Sequence, residues 1–326
     1  LVDQDRENVD AVLMGTLAQF KRLCGKLDGQ PYGLSPLADE LRAALEIEGH
    51  GPDERGYPWE DGTAVMGILN VTPDSFHDGG EYEAVEAAVS RAEEMVDHGV
   101  DIVDVGGEST RPGAAPVPAE AEIDRVVPVI ERISDLDVDV AVDTRKAAVA
   151  RAALEAGADV LNDVSGLEDP EMRLVAADHD VPVVVMHSEE TPVDPDTERE
   201  YDDVVTDVLD ELTERVLLAE KAGLDREQII VDPGLGFAKS PAEDLELLGR
   251  IDEFRALGCP VLVGHSHKSM FGRIDRDPDE RLAATVAGTT IAAERGADIV
   301  RVHDVKENVA AVRAVEAADG SDAGTE

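Results

Sequence analysis

Eight short apolar runs, each closed by a polar or glycine-rich tag and each followed by a helical stretch, predict an α/β chain folded as a (β/α)8 TIM barrel with a short helical N-terminal extension. The tags are Asn70, Asp104-Val105-Gly106-Gly107-Glu108, Asp143, Asn162-Asp163, Met186-His187, Asp232-Pro233-Gly234, Gly264-His265-Ser266 and Arg301-Val302-His303. Several runs are almost continuously apolar, such as Val183-Val184-Val185-Met186 and Pro260-Val261-Leu262-Val263, as parallel strands buried on both faces require. The 326 residues cover one barrel of roughly 250 residues and leave a stretch at the N-terminus. Barrels of this kind carry their chemistry at the C-terminal ends of the strands, so the tags lay one candidate site out along the sequence.

Residues 1–60 break the rhythm. Val9, Val12, Leu13, Leu17, Phe20 and Leu23 recur at helical spacing, and Leu37, Leu41, Ala44 and Leu45 suggest a second short helix. Gly49-His50-Gly51-Pro52 and Tyr57-Pro58 then punctuate a linker. A cap, a linker and the tail of a preceding domain are all open readings, and the opening Leu1 in place of Met suggests a longer polypeptide. The barrel is expected over 61–318, with strands near 64–69, 100–105, 138–143, 158–162, 181–186, 228–232, 260–264 and 298–303, before an acidic tail over 319–326. Helices between them show apolar spacing of three and four, as in Val85, Ala88, Val89, Ala92 and Val96. Gly157 and Gly296 each end a helix in a Gly-x-Asp step that leads into the next strand. The long, acidic, proline-bearing segment 187–200 reads as a lid, and the loops after strands 1 and 2 as two more covers.

The formal charge is −44, from 73 acidic and 29 basic residues. Phosphate backbones demand the opposite sign, which argues against a nucleic-acid partner. Disorder is countered by 43% hydrophobic content and regular periodicity. The composition instead suits a surface adapted to concentrated salt, as in a halophile's cytosol. Cys24 and Cys259 lie far apart and match no disulfide or zinc spacing, which points to a reducing compartment. No apolar run approaches the ~18 residues of a membrane span. The sequence therefore predicts a soluble cytoplasmic protein.

In so acidic a chain the few cations are informative. Of its seven lysines, Lys146, Lys239, Lys268 and Lys306 lie close to strand ends, joined by Arg111, Arg145 and Arg301. Positive charge focused over the barrel mouth would attract an anion. Lys146 and Lys306 are equally well read as ion-pairing groups. Lys268 follows strand 7, and Arg301 and His303 end strand 8, at the edge where barrels commonly hold phosphate, so a phosphate or diphosphate is expected there. Asp143, Asn162 and Asp232 stand at the tips of strands 3, 4 and 6 and suit a ring with paired N–H donors, such as an aminopyrimidinone. Metal binding by Asp143 and Asp232 is the alternative. Met186 offers a soft apolar wall or serves as a core residue.

Three longer motifs carry a resemblance. They are Met66-Gly67-Ile68-Leu69-Asn70-Val71-Thr72-Pro73-Asp74-Ser75-Phe76, then Asp104-Val105-Gly106-Gly107-Glu108-Ser109-Thr110-Arg111-Pro112-Gly113, then Asp232-Pro233-Gly234-Leu235-Gly236-Phe237 with Lys239. Over residues 64–316 the chain resembles the dihydropteroate synthase family. The resemblance implies condensation of 6-hydroxymethyl-7,8-dihydropterin diphosphate with p-aminobenzoate, giving 7,8-dihydropteroate and diphosphate. It implies that Asp143, Asn162, Asp232 and Lys268 hold the pterin, with Met186 at its edge. Asn70 would meet Mg2+ and the diphosphate, Arg301 and His303 the diphosphate, and Thr110, Arg111 and Ser266 the p-aminobenzoate. It leaves open a homodimer and an upstream fusion to another folate enzyme.

Two departures from the family pattern stand out: His267 replaces the usual arginine, and Ser188-Glu189-Glu190 follows Met186-His187 without a second methionine. A methyltransferase domain that binds a folate methyl donor would share the acidic and amide contacts but needs no diphosphate site. Thr110-Arg111 and Ser266-x-Lys268 favour the synthase. A pterin-binding scaffold without turnover is disfavoured by Asn70 and the anion-site cations. The acidic surface carries its own expectation: the thermal midpoint should climb by many degrees between about 0.1 M and 3 M KCl, as the Debye length shrinks from about 10 Å to a few Å. A midpoint indifferent to KCl would contradict the salt-adapted reading.

Overall fold

The computed structural model describes residues 41, 55–60, 62–72, 81–108, 116–188, 201–274 and 281–319. The chain divides into two compact units, Leu1–Glu60 and Asp61–Glu326. In the first, the Tyr57 and Trp59 rings stack with centroids 4.7 Å apart. The Glu60 carboxylate accepts from the backbone N–H groups of Arg55, Gly56 and Tyr57 at 3.0, 2.7 and 3.2 Å. The two expected N-terminal helices, most of the strand 5 lid segment and the loops after strands 1 and 2 lie outside the described residues.

The second unit alternates strand and helix throughout. The strands are β1 (Ala64–Asn70), β2 (Ile102–Gly106), β3 (Asp139–Asp143), β4 (Val160–Asp163), β5 (Val183–Met186), β6 (Ile229–Asp232), β7 (Leu262–Gly264) and β8 (Ile299–Val302). Each is followed by its helix: α1 (Glu81–Asp97), α2 (Ala119–Ile133), α3 (Ala147–Glu155), α4 (Met172–His179), α5 (Val204–Ala222), α6 (Pro241–Gly249), α7 (Arg281–Glu294) and α8 (Val305–Asp319). All strand pairs are parallel, in the order β6-β5-β4-β3-β2-β1-β8-β7. A parallel bridge between Val231 and Val261, with Val231 N–H donating to Pro260 O at 2.8 Å, closes the ring. The architecture is the expected (β/α)8 barrel, and each strand lies within two residues of its expected position.

Alternation along the strands sorts residues into two layers. Val103, Val105, Val140, Val142, Val183, Val185, Val261, Val263, Val300 and Val302 join the helices in one apolar core. Their neighbours, by parity, face the barrel axis: Met66, Ile102, Val184, Ile230, Leu262 and Ile299 fill it, all buried. The same inward set ends at the tips in Asn70, Gly106, Asp143, Asn162, Met186, Asp232, Gly264 and Arg301. The parity that builds the core thus aims the candidate site residues into one opening.

The opposite rim is stitched by the Gly-x-Asp steps. Asp101 Oδ2 accepts from Val65 N–H at 2.7 Å, Asp159 Oδ2 from Val140 N–H at 3.1 Å, and Asp298 Oδ2 from Val261 N–H at 2.7 Å. The preceding Gly99, Gly157 and Gly296 have φ of 82°, 112° and 79°, which only glycine adopts without strain. Among the described residues no helix is long and apolar enough to cross a membrane. Asp298→Ala strands a strand-edge N–H and should lower stability by about 1–3 kcal/mol. Chemical denaturation would read this, and an unchanged midpoint would contradict the stitching role.

Candidate active site

Asp104 lies inside β2, in the apolar run Ile102-Val103-Asp104-Val105, and is fully buried. Such a carboxylate needs a partner, and β8 supplies one. Arg301 Nε donates to Asp104 Oδ2 at 2.6 Å, and its Nη2 donates to Asp143 Oδ2 at 2.6 Å. Asn162 Nδ2 also donates to Asp104 Oδ2, at 2.9 Å. Strand register explains the convergence, because Gly106 pairs with Asp143, Asp143 with Asn162, and Gly264 with Arg301. Burial pushes Asp143 up to about 7; Arg301 opposes this, while the Asp104, Glu122 and Asp163 carboxylates add to it. Burial works against the Arg301 charge, but Asp104 and Asp143 hold the guanidinium above its ordinary range.

Across the opening, Asp232 Oδ1 accepts from Gly234 N–H at 2.8 Å. Its Oδ2 faces Gly264, 3.7 Å from where a side chain there would begin. Lys268 Nζ donates to Leu235 O and lies 4.7 Å from the centre of the Phe237 ring. Burial lowers the Lys268 ammonium to about 8, with Asp232 and Asp244 opposing and Arg301 assisting. Asp232 is raised by burial, with Lys268 the main opposing charge. The two bare tips open the site. A side chain on Gly106 would begin 3.6 Å from Asn70 Oδ1 and 3.5 Å from Asp143 Cβ, and one on Gly264 would begin between Asp232 and Arg301.

Ser266 Oγ lies 2.9 Å from His303 Nδ1 and accepts from His303 N–H at 3.2 Å. His267 Nε2 meets Asp304 Oδ2 at 2.6 Å, and its ring lies edge-on to His303 at 5.6 Å. Below them His265 is buried against Thr285 O and Thr289 Oγ1, at 3.0 and 2.9 Å. Burial lowers it to about 4, so it stays neutral and supports the loop.

The structure therefore brings Asn70, Asp143, Asn162, Asp232, Lys268 and Arg301 to one opening, with Ser266 and His303 joined at the β7 and β8 tips. Met186 is buried, with its Cγ 3.3 Å from the side-chain position of Gly234. Thr110 and Arg111 lie outside the described residues. Not every expected cation faces the opening. Arg145 Nε binds Glu108 Oε2 at 2.9 Å, and Lys146 Nζ binds Glu108 at 3.0 Å and also Glu122. Lys239 is held by the turn after β6, and Lys306 is exposed on α8. Among the described residues no group of three or more His, Cys, Asp or Glu could hold a metal.

Asp104, though part of the strand 2 tag, and Glu122 and Asp244 were given no site role from the sequence. Each had a signal. Asp104 interrupts an apolar strand, Glu122 shares a helical stripe with Val126, Val129, Ile130 and Ile133, and Asp244 shares one with Leu247 and Leu248.

Asp143 binds its proton more tightly folded than unfolded, because burial raises it from 3.8 to about 7. The resulting stabilisation is complete below about 3.8 and is lost as pH rises through about 7. Asp143→Asn should remove that loss, so its stability relative to wild type should improve with pH by up to about 1.4 kcal/mol per unit between pH 5 and 7. A pH-independent difference in denaturation curves would contradict the shift.

Residues 66–303 match the pterin binding enzyme family. A probable bifunctional folylpolyglutamate synthase/dihydropteroate synthase of Halobacterium salinarum is 70% identical over 97% of the chain. The chain spans only 39% of that relative's length. Dihydropteroate synthase of Bacillus subtilis is 48% identical over 76% of this chain and 86% of its own. The structure of Xanthomonas albilineans dihydropteroate synthase with 4-aminobenzoic acid superposes with a TM-score of 0.74 and 45% identity, over 79% of this chain and 94% of that one. With an eight-stranded barrel and a cradle of buried carboxylates, amide and cations at its strand tips, the chain belongs to the pterin binding enzyme family, in its dihydropteroate synthase branch.

Proposed function

We propose that the barrel joins 6-hydroxymethyl-7,8-dihydropterin diphosphate to p-aminobenzoate, releasing diphosphate and forming 7,8-dihydropteroate. The observation that carries this reading is the pairing of a neutral-to-acidic cradle, Asp143, Asn162 and Asp232, with Arg301 and Lys268 at the same opening. Asp232 Oδ2, turned toward Gly264, suits adjacent ring N–H and NH2 donors. Asn162 keeps its amide oxygen for a ring donor while its Nδ2 is tied to Asp104. Lys268 supplies a cation to a ring carbonyl or nitrogen, and Met186 packs at the edge.

In the reaction the methylene carbon exchanges its C–O bond to diphosphate for a C–N bond to the arylamine. The electron pair of the broken bond leaves with diphosphate, and one amine proton goes to solvent or to the departing anion. The reduced pterin stabilises a developing cation on the methylene, and the arylamine is already neutral near pH 7, so no strong base is required. The protein's task is electrostatic. Its bonds to Asp104 and Asp143 occupy two of the five N–H donors of the Arg301 guanidinium and fix its plane, leaving donors for phosphate oxygens. His303, seated on Ser266, faces the same edge, and p-aminobenzoate would lie beside Ser266, Thr110 and Arg111.

Mg2+ fits the residues present. Asn70 Oδ1 is a hard oxygen at the β1 tip, facing the space over Gly106 beside Asp143. Mg2+ needs few protein ligands, since it keeps water and shares phosphate oxygens. Bound there by Asn70 and substrate, it would neutralise charge on the diphosphate. The wider setting we infer is cytosolic, within a longer polypeptide like the bifunctional Halobacterium relative.

Incubating the chain with both substrates, Mg2+ and molar KCl should yield dihydropteroate and stoichiometric diphosphate. Lys268→Ala and Arg301→Ala should each lower kcat/KM on the order of 10²-fold or more. Near-normal activity in both variants would overturn these roles, and methyl transfer without diphosphate release would favour the methyltransferase reading.

A further inference from the structure

Lys268 rests on the turn that follows β6, and that turn is fixed from its other side. Gly234, Gly236 and Ala238 have φ of 68°, 76° and 52°, so the backbone alternates in hand and presents carbonyls to both faces. A side chain on Gly234 would begin 2.0 Å from His187 O, which leaves room for glycine alone. Two carboxylates hold the turn's N–H groups. Asp232 Oδ1 accepts from Gly234 at 2.8 Å, and buried Asp244 Oδ1 accepts from Gly236 at 2.7 Å.

Its carbonyls are divided between two lysines. Lys239 Nζ donates to Gly234 O at 2.9 Å and to Phe237 O at 3.1 Å, and lies 2.9 Å from His187 Nδ1. An ammonium can only donate, so His187 Nδ1 is the acceptor and the neutral ring carries its proton on Nε2. That Nε2 stands 3.1 Å from Glu211 Oε2 on α5. Lys268 takes a third carbonyl, Leu235 O, with its ammonium 4.7 Å from the Phe237 ring centre. A side chain on Gly236 would begin 3.0 Å from Lys268 Cδ. The turn is therefore a bed with the substrate-facing lysine above it and Lys239 pinning it to the β5 tip below.

We propose that Lys239, seated on His187, is a positioning residue for Lys268. It sets the Leu235 carbonyl and the Phe237 ring that hold the Lys268 ammonium, and so governs affinity for the pterin-bearing substrate rather than for the arylamine. The proposal rests on Lys268 being a pterin-holding group. It differs from a simple electrostatic role at the barrel rim, in which any cation would serve.

Four variants separate the two. Lys239→Met removes the donors and the charge, whereas Lys239→Arg keeps the charge and replaces three convergent donors with a planar fork. Both should raise KM for the pterin diphosphate by about tenfold or more, with KM for p-aminobenzoate at saturating pterin within about twofold of wild type. His187→Phe keeps a buried ring and the lysine charge but removes the acceptor, and should move the same KM in the same direction by a few-fold. Lys306→Ala, which removes an exposed rim charge, should move neither. Fluorescence titration with unreactive 6-hydroxymethylpterin reads the same bed without turnover, and its Kd should rise in parallel. A wild-type pterin KM and Kd in Lys239→Arg, or an equal rise of both KM values with a collapsed melting temperature, overturns the proposal. Absence of dihydropteroate from the wild type would instead sink the functional reading, while the Kd comparison still decides the role of Lys239.

Discussion

Arg301 is the partner that Asp104 and Asp143 share, and its guanidinium sets one positive charge against both carboxylates in the barrel interior. Removing one member of such a buried set strands the others, at a typical cost of about 3–5 kcal/mol. Three strands are therefore tied at their tips by charge as well as by backbone hydrogen bonds. Asn162 joins them through the same Asp104 oxygen, so the fourth strand's amide is oriented by the same group. The cradle is preorganised because these bonds fix Arg301, Asp143 and Asn162 before a substrate arrives.

Much of this was legible in the sequence, and the reason is parity. A parallel barrel strand shows one set of residues to the helices and the other to the axis, so a polar residue closing an apolar run at the axis-facing position must sit at the opening. Asn70, Asp143, Asn162, Asp232 and Arg301 all satisfied that condition. What the sequence could not reveal was which cations were already committed. Lys146 and Lys239 follow strand ends in the sequence much as Lys268 does, yet one is bound by Glu108 and Glu122 and the other by the β6 turn and His187. Those acceptors come from other elements, and only the closed register brings them together.

The two halves of the opening balance their charges differently. On the β2–β4 side an arginine compensates two carboxylates, and burial still raises Asp143. On the β6–β7 side Lys268 is compensated by Asp232 and by Asp244, and burial still lowers it. Both groups thus titrate near neutrality, where a bound anion would favour the charged lysine. In a chain of net charge −44 this local balance matters, since unscreened acidic surface would otherwise repel an anionic substrate.

The central claim is that the two carboxylates hold the Arg301 fork so that its remaining donors meet a phosphate. Calorimetric titration of inorganic diphosphate into wild type and Arg301→Lys tests it directly, because lysine keeps the charge but cannot span Asp104 and Asp143 while presenting a planar edge. The account predicts binding weakened by about tenfold or more in the variant. Affinity within about twofold of wild type would contradict it.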